Sequence, residues 1–241
     1  MSYFLSCVFG HTLVCMSPTS FIKRPELWLM AMEKYQAITA CAPTFAYQLL
    51  AKRLRSSGNT YDLSSVLCVD IAAEPVTRAA LRDAVSVGFN PAAIQVSYGM
   101  AEAVVWAASA VNPCYDPATG FVSVGNTEVG RLLGSIAIVA DPTTHTVVAD
   151  GVEGHVYISN PGVSPGYYGR PNLNEKVFGL ALKGTDPTLR WYDTRDLGYI
   201  KGGQLFVSGR SSDVIIVAGR NIWPTDIERQ AESLLSKVGM Q

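Results

Sequence analysis

The sequence predicts an α/β fold that begins with a parallel α/β sheet, continues in a β-rich subdomain and ends at the start of a small α+β C-terminal domain. Strand and helix patterns alternate between residues 38 and 97, which is typical of a right-handed parallel sheet. After Pro113 the pattern changes to short alternating strands separated by turn dipeptides such as Asp150-Gly151. We therefore expect three parts, which comprise residues 1–112, 113–208 and 209–241.

The elements of the first part follow from the spacing of apolar residues. Trp28 and Tyr35 recur at helical spacing after Pro25, a residue that suits the start of a helix. The pattern predicts, in chain order, a helix 25–35, a strand 38–42, a helix 44–55, a strand 66–71, a helix 76–87 and a strand 93–97. The apolar opening, residues 3–16, lacks a basic leader, so we expect a buried strand there rather than a signal sequence.

Short strands dominate the remainder of the sequence. Period-two alternation between turn signals predicts strands over residues 136–140, 146–149, 155–159, 191–194, 205–208 and 214–217. The last predicted element is a helix that begins with a capping box formed by Thr225 and Glu228. Together these patterns indicate a curled sheet or a distorted barrel, followed by the beginning of another domain.

The composition excludes several classes of function. With 19 basic and 20 acidic side chains the net charge is −1, and there is no basic block for nucleic-acid binding. Five cysteines without metal-ligand spacing predict buried free thiols in a reducing compartment, and three scattered histidines disfavour a zinc site. No apolar run has the length of a membrane span. We therefore expect a cytoplasmic protein.

An acidic residue and an arginine stand out in the last third of the sequence. Asp196 can accept two ribose hydroxyls if it lies at a strand end, and Arg210, which follows Gly209, can reach ribose or phosphate from a turn. Composition alone favours the alternative, a surface acid and a surface arginine in two hairpins. A second cluster upstream, residues 97–103, supports the nucleotide hypothesis.

Together with four further segments, these motifs resemble the adenylate-forming superfamily, and most closely its fatty acyl-AMP ligases. In family order, the matching segments are residues 17–25 with Trp28, 42–47, 73–76, 98–103 and 219–228. One such motif is a weak signal, whereas five in order over nearly the whole chain are specific. Ala101, where many acyl-CoA synthetases have threonine, favours the acyl-AMP ligases.

The resemblance implies a role for each motif position around the base and ribose of ATP or AMP. Tyr98 stacks on adenine, Gly99 permits a close backbone approach, and Met100 completes this nucleotide-binding motif. The adenine edge is contacted, mainly through backbone atoms, by Ala73, Glu74 and Pro75. Asp196 and Arg210 bind the ribose.

The resemblance also assigns the metal, the hinge and the acyl pocket. Glu102 is the catalytic carboxylate that helps to hold Mg²⁺ beside the phosphates. The alternative is a carboxylate that stabilises the start of a helix. Ser212 lies at the domain hinge. The acyl pocket is expected along residues 17–25, residues 43–47 and the strand before Tyr98. Its aromatic residues, Phe21, Trp28, Phe45 and Tyr47, are equally compatible with a packed core.

The sequence departs from the family pattern at four positions. Ala72 stands where the family usually has glycine, and Arg195 replaces the glycine before Asp196, where a positive φ or close packing is expected. Ser212 stands where aspartate or lysine is usual at the hinge. His155 stands where glutamate is common, which we interpret as structural drift.

The implied function is the ATP-dependent activation of a fatty acid to an acyl-adenylate, which is then transferred to an acyl carrier protein or a polyketide synthase. Two alternatives stay open: an acyl-CoA synthetase that uses CoA, and a non-catalytic module that binds adenylate, lipid or another protein. Amino-acid adenylation is disfavoured because residues 45–47 offer no acidic side chain. Neither the phosphate loop nor the catalytic lysine of the family is matched in the sequence, so we expect an internal fragment that is inactive alone.

Overall fold

The computed structural model describes residues 2–213, 215–217, 220–222, 227, 231 and 234 of the chain. The backbone forms a four-stranded sheet, a six-stranded sheet and a two-stranded ribbon. The predicted fold class, a parallel α/β sheet followed by a curled antiparallel region, is confirmed. The proposed boundaries at residues 112 and 208 stay a prediction.

The first sheet contains the predicted parallel strands and one additional antiparallel strand. Its strands, in spatial order, are β1 (Thr39–Ala42), β2 (Cys68–Ile71), β3 (Ile94–Tyr98) and β4 (Ala108–Val111). Strands β1, β2 and β3 are mutually parallel, and β4 runs antiparallel to β3. The carboxyl ends of the parallel strands therefore meet at one edge, where ligands bind in open α/β sheets.

Helices precede and connect these strands. They are α1 (Ser2–Phe9), α2 (Pro18–Lys23), α3 (Glu26–Tyr35), α4 (Thr44–Ser57) and α5 (Arg78–Val87). Helix α4 ends at Gly58, whose φ of 70° and N–H bond to the Leu54 carbonyl form a left-handed cap. Helix α5 begins after Thr77, whose hydroxyl accepts the Ala80 N–H. The predicted helices at 25–35, 44–55 and 76–87 are thus confirmed to within two residues.

The opening of the chain was predicted incorrectly. Residues 2–9 form helix α1 rather than a buried strand, and the backbone from His11 to Ser17 is irregular. A short apolar run fits either a strand or a helix, so the local sequence did not decide between them. Val8 and Phe9 are exposed. Helix α2 was not predicted, although Ser17 caps it and Pro18 begins it.

The predicted burial of the cysteines is also wrong. Cys7, Cys15, Cys41 and Cys114 are exposed, and Cys68 is half-buried. Both strand cysteines lie in β1 and β2 and alternate with buried residues, Ala40 and Val69. A period of two therefore turns these thiols away from the core.

The second sheet is antiparallel, in the spatial order β5-β10-β9-β8-β6-β7. Its strands are β5 (Gly125–Asn126), β6 (Ile136–Asp141), β7 (Thr146–Val147), β8 (Gly154–Ser159), β9 (Tyr192–Lys201) and β10 (Gln204–Arg210). Two helices accompany it, α6 (Thr127–Leu132) and α7 (Pro171–Val177). Strand β9 is longer than predicted because it pairs with β8 on one side and β10 on the other.

One apolar cluster spans the two sheets. Val69 and Val96 of the first sheet belong to the same packed cluster as Val156 and Leu205 of the second, and all four are fully buried. Burying such a side chain contributes about 1.5–3 kcal/mol. Strand β5 packs directly against β4 because Gly125 has no Cβ, which would lie 2.6 Å from the Cβ of Ala108. The edge of the first sheet is therefore fixed relative to β9 and β10.

The last described elements form a short ribbon. Strands β11 (Ile215–Val217) and β12 (Arg220–Ile222) pair antiparallel, which confirms the predicted strand there. The predicted capping box at Thr225 and Glu228 lies outside the described residues. Among the residues that the structure describes, no helix is long and apolar enough to cross a membrane.

Candidate functional site

Most of the residues predicted to bind the nucleotide line one cleft at the carboxyl end of β3. This Tyr98 cleft has a volume of about 410 Å³. Its lining is Ala73, Glu74, Pro75, Val76, Ser97, Tyr98, Gly99, Phe121, Val122, Val124, Asp196, Val207, Gly209, Arg210 and Asp213. The cleft therefore brings together the segments 73–75 and 98–99 with Asp196 and Arg210, which are up to 137 positions apart in the sequence.

Asp196 is the polar centre of this cleft. Its Oδ2 accepts a hydrogen bond of 2.5 Å from the Tyr98 hydroxyl, and its Oδ1 lies 3.4 Å from Nε of Arg210. The residue is only 8% exposed, and this burial raises the carboxyl pKa despite the lowering effects of Tyr98 and Arg210. Burial and the charge of Asp196 raise the pKa of Tyr98, so the phenol stays a donor.

The second sheet places Asp196 beside Arg210. The two residues are direct cross-strand partners on β9 and β10. Asp196 lies within β9 rather than at a strand end, and Arg210 is the last residue of β10 rather than part of a tight turn. The predicted local geometry was therefore wrong at both positions. A register shift between Val207 and Gly209 instead supplies the local irregularity.

Arg195 adopts the backbone conformation expected for the glycine that it replaces. Its φ is 60°, a left-handed value that costs a non-glycine residue about 1–2 kcal/mol. The Arg195 N–H donates to Oδ1 of Asp193 at 2.9 Å, and the Arg195 carbonyl accepts the Ser211 N–H at 3.0 Å. These bonds hold the turn in place immediately before Asp196.

A second cleft opens on the other side of Asp196. This Glu102 cleft has a volume of about 510 Å³. Its lining is Met100, Glu102, His155, Tyr167, Leu173, Val177, Tyr192, Asp193, Thr194, Arg195, Asp196, Arg210, Ser211 and Ser212. Met100 therefore lines this cleft with Asp196 and Arg210 and is absent from the Tyr98 cleft. Asp196 and Arg210 line both clefts and form the border between them.

Glu102 is bound by Tyr167, which in turn contacts Tyr192, and the sequence revealed neither tyrosine. The Tyr167 hydroxyl donates to Oε1 of Glu102 at 2.5 Å and lies 3.3 Å from the Tyr192 hydroxyl. Burial is the main cause that raises the pKa of both tyrosines. The signals for them were weak: Tyr167 lies in the turn-rich segment 166–169, and Tyr192 precedes the predicted ribose motif. In the described part of the chain, no group of three or more acidic, histidine or cysteine residues is arranged to hold a metal ion.

His155 and Asp193 form a hydrogen-bonded pair on the wall of the Glu102 cleft. Nδ1 of His155 lies 3.0 and 3.1 Å from the two carboxylate oxygens of Asp193. The same carboxylate accepts the Arg195 N–H. The histidine that we interpreted as structural drift is therefore connected, through Asp193, to the turn before Asp196.

Gly99 is required by the fold of its own loop. A Cβ at this position would lie 1.5 Å from the carbonyl oxygen of Val105. Val104 and Val105 have φ values of 52° and 78°, unfavourable for β-branched residues. The motif predicts that the nucleotide comes close to Gly99, whereas in the structure the backbone of Val105 occupies the space beside it.

The predicted acyl-pocket aromatics are divided between core and surface. Trp28 packs edge-on against Phe21 and Tyr47, with centroid distances of 6.0 and 5.9 Å. Tyr47 is completely buried and also contacts Phe89. The packed-core alternative therefore holds for Trp28 and Tyr47, whereas Phe45 is 48% exposed.

The hinge candidate, Ser212, is exposed at the rim of the Glu102 cleft. Its hydroxyl donates to Oδ1 of Asp213 at 2.8 Å. The neighbouring Asp213 N–H bonds to the Arg210 carbonyl at 3.1 Å, which ties this turn to the ribose motif. The hinge function itself stays a prediction.

Fold and clefts together define an adenylate-forming type of domain, with the motifs at the carboxyl edge of the parallel sheet. The sequence model of the AMP-binding enzyme family matches residues 1–168. The chain therefore belongs to the AMP-binding enzyme family.

Individual relatives agree with the predicted similarity to fatty acyl-AMP ligases. The chain is 29% identical to the long-chain-fatty-acid–AMP ligase FadD32 of Mycolicibacterium smegmatis, over 95% of this chain and 42% of that protein. It is 30% identical to the medium-chain-fatty-acid–[acyl-carrier-protein] ligase JamA of Moorena producens, over 92% and 42%. The structure of a fatty acyl-adenylate ligase from Legionella pneumophila, in complex with acyl adenylate and pyrophosphate, superposes with a TM-score of 0.73 at 28% identity, over 91% and 42%. The similarity is confirmed, and the chain spans less than half the length of these relatives.

Proposed function

We propose that the chain is the nucleotide-binding part of a fatty acyl-AMP ligase. Such an enzyme joins a fatty-acid carboxylate to the α-phosphate of ATP and releases pyrophosphate. The proposal depends most on one observation: segments 73–75 and 98–99, Asp196 and Arg210 come from separate elements and line one cleft. The similarity to fatty acyl-AMP ligases supports the fatty acid as substrate.

The Tyr98 cleft suits an adenosine. The Tyr98 ring and the apolar wall, which includes Val122 and Val207, offer a flat base a stacking and packing surface. Each carboxylate oxygen of Asp196 has one observed partner, whereas a carboxylate oxygen can accept two hydrogen bonds. Asp196 can therefore accept a ribose hydroxyl at each oxygen while Tyr98 and Arg210 hold it in position.

The Glu102 cleft suits the phosphates and Mg²⁺. Magnesium is commonly bound by one or two carboxylates together with phosphate oxygens. The single Glu102 carboxylate, which Tyr167 orients, fits this kind of site. In this proposal Mg²⁺ supplies neutralisation of the phosphate charge. Arg195 and Arg210 line the same cleft and add positive charge beside the phosphates.

We propose an acyl carrier protein, free or within a polyketide synthase, as the acceptor of the acyl group, because the relative JamA is named for that transfer. CoA is the alternative acceptor. A non-catalytic adenylate-binding module is the second candidate, supported by the arginine at the left-handed position 195. In either case we expect the chain alone to bind the adenylate without turnover, because no lysine lines either cleft among the described residues. The requirement for ATP favours a cytoplasmic location.

Calorimetry with a non-hydrolysable acyl-AMP analogue tests the nucleotide site. The unmodified chain should bind it, and Asp196→Ala should weaken binding about 100-fold, because hydrogen bonds to a charged group contribute about 1.5–3 kcal/mol each. Asp186→Ala, which removes an exposed loop carboxylate, is the matched control and should bind normally. Absence of binding to the folded unmodified chain would contradict the proposal.

A transfer assay tests the expected lack of turnover. The chain is incubated with ATP, Mg²⁺, a fatty acid and either an acyl carrier protein or CoA, and products are identified by mass spectrometry. We expect no product from the chain alone. Acyl-carrier or acyl-CoA product would contradict this expectation, exclude the non-catalytic candidate and identify the acceptor.

A further inference from the structure

Glu74 lines the Tyr98 cleft, and its carboxylate binds the start of helix α4. Its Oε1 accepts the Phe45 N–H at 2.9 Å. Phe45 is the second residue of α4, and the first four N–H groups of a helix have no partner within it. Pro43, at the N-cap position, makes no side-chain cap. Glu74 thus caps α4 from 29 positions away, with its negative charge at the favourable end of the helix dipole.

The backbone next to Glu74 needs such support. Ala73 has a φ of 76°, a left-handed conformation that persists only when its surroundings enforce it. Ala73, Glu74 and Pro75 are exposed, between the buried Ile71 of β2 and the buried Val76. The Glu74–Phe45 bond ties this exposed stretch across to α4.

A second bond joins the same two segments. The Tyr47 hydroxyl, one helical turn into α4, donates to the carbonyl of Asp70 in β2 at 3.4 Å. The first turn of α4 is thus tied to the chain on both sides of Ala73. Because α4 packs its buried Tyr47 and Leu50 in the core, it anchors the strip formed by residues 73–75.

We propose that Glu74 is a positioning residue for base recognition. It acts through the backbone of residues 73–75, which it holds against the Tyr98 cleft, and it couples this strip to the start of α4, where the resemblance expects the acyl pocket. This inference rests on the proposed function, because it assumes that an adenine lies along the strip. The resemblance implies that residues 73–75 contact adenine through their backbone atoms. The proposal adds that the Glu74 carboxylate holds this backbone in place.

A titration of the isotope-labelled chain by NMR separates positioning from simple helix capping. Two ligands are used, AMP and ribose 5-phosphate, which lacks the base. Glu74→Ala should weaken AMP binding about tenfold, equivalent to about 1.4 kcal/mol, and leave ribose 5-phosphate binding unchanged. Glu74→Gln, which keeps an acceptor oxygen of the same reach, should retain AMP binding. Glu128→Ala, an exposed acid in the first turn of α6, is the matched control.

Each outcome has one meaning. Equal weakening of AMP and ribose 5-phosphate, or unchanged AMP binding in Glu74→Ala, would overturn the positioning role while leaving the nucleotide site intact. Failure of the unmodified chain to bind AMP would contradict the proposed function instead. If Glu74→Ala does not fold, Glu74→Asp replaces it: the shorter side chain keeps the charge but cannot reach Phe45, so AMP binding should again weaken, and normal binding by Glu74→Asp would overturn the role.

Discussion

The two clefts share Asp196 and Arg210 but differ in the rest of their chemistry. The Tyr98 cleft is lined by several valines and one phenol ring, and its polar contacts converge on the buried Asp196. The Glu102 cleft is lined mainly by ionisable and hydroxyl groups, and its central acid is only half-buried. The first arrangement suits a flat base, whereas the second suits solvated phosphates and a metal.

Both clefts join segments that are distant in sequence, but they differ in how deeply their central carboxylates are buried. Tyr98 is 98 positions from Asp196, and Tyr167 is 65 positions from Glu102. Asp196 is buried, whereas Glu102 is only half-buried and stays in contact with water. A change on the Tyr98 side should therefore disturb the fold more than a similar change on the Glu102 side.

The largest effect is expected from Gly99→Ala. The added Cβ would lie 1.5 Å from the Val105 carbonyl oxygen, so the backbone must move, and we expect a loss of about 3 kcal/mol or more in the free energy of unfolding. Urea denaturation measures it. The control is Gly120→Ala, where the new Cβ meets nothing within 4 Å but φ is 74°, and a loss of about 1 kcal/mol is expected. Equal losses in both variants would contradict the steric argument.

Removing one hydroxyl from each cleft compares them directly. Tyr98→Phe deprives the buried Asp196 of its donor and should cost about 2 kcal/mol of unfolding free energy. Tyr167→Phe removes the hydroxyl that donates to the half-buried Glu102. Water can replace this donor, so the variant should lose about 1 kcal/mol or less of unfolding free energy. Urea denaturation of both variants provides the numbers, with Tyr35→Phe, at an exposed ring, as the control. A larger loss for Tyr167→Phe would reverse the proposed difference between the clefts.

The ionisation of Asp196 should make AMP binding depend on pH. Burial raises its pKa, with Glu102 and Asp193 adding repulsion and Tyr98 and Arg210 opposing it. The folded state thus favours the protonated Asp196 carboxyl. The stability that this carboxyl contributes is therefore lost as pH rises through its raised pKa. Ribose hydroxyls prefer the ionised form, so AMP affinity should increase over the same window.

Calorimetry from about pH 5 to about pH 8 measures this dependence. Asp196→Asn, which has no ionisable group at this position, should bind weakly with a flatter profile. An identical pH profile in the variant would assign the effect to another residue.

The smallest effect is expected from Arg195→Gly, which should stabilise the chain. Glycine adopts the observed φ of 60° without strain, so we expect a gain of about 1 kcal/mol, or about 2–4 °C in Tm. Val111→Gly, at an exposed strand position with ordinary φ, should instead lower Tm. A lower Tm for Arg195→Gly would mean that the arginine side chain stabilises the Glu102 cleft.

Sequence patterns predicted the parallel sheet well because its strands and helices are local and carry strong apolar periodicity. Caps at Gly58 and Thr77 agree with the predicted helix ends. The opening helix was missed because a short apolar run fits either a strand or a helix. Tertiary contacts that decide between the two cannot be read from the local sequence.

The candidate site was predictable only in part. Motif positions gave the residues that meet in the Tyr98 cleft, and the glycine expected at position 195 gave the left-handed backbone there. The partners Tyr167 for Glu102 and Phe45 for Glu74 were not predictable, because each depends on tertiary contacts between segments at least 29 positions apart. The strand position of Asp196 was missed because the length of β9 is set by pairing with two neighbours.

Photolabelling with AMP that carries an azide on the base shows where the base lies. Labelled peptides are identified by mass spectrometry, with excess AMP as competitor. We expect competed labelling within residues 73–76, 97–99 or 121–124, the walls of the Tyr98 cleft. Competed labelling confined to the walls of the Glu102 cleft, such as residues 167–177, or labelling that AMP does not displace, would contradict this expectation.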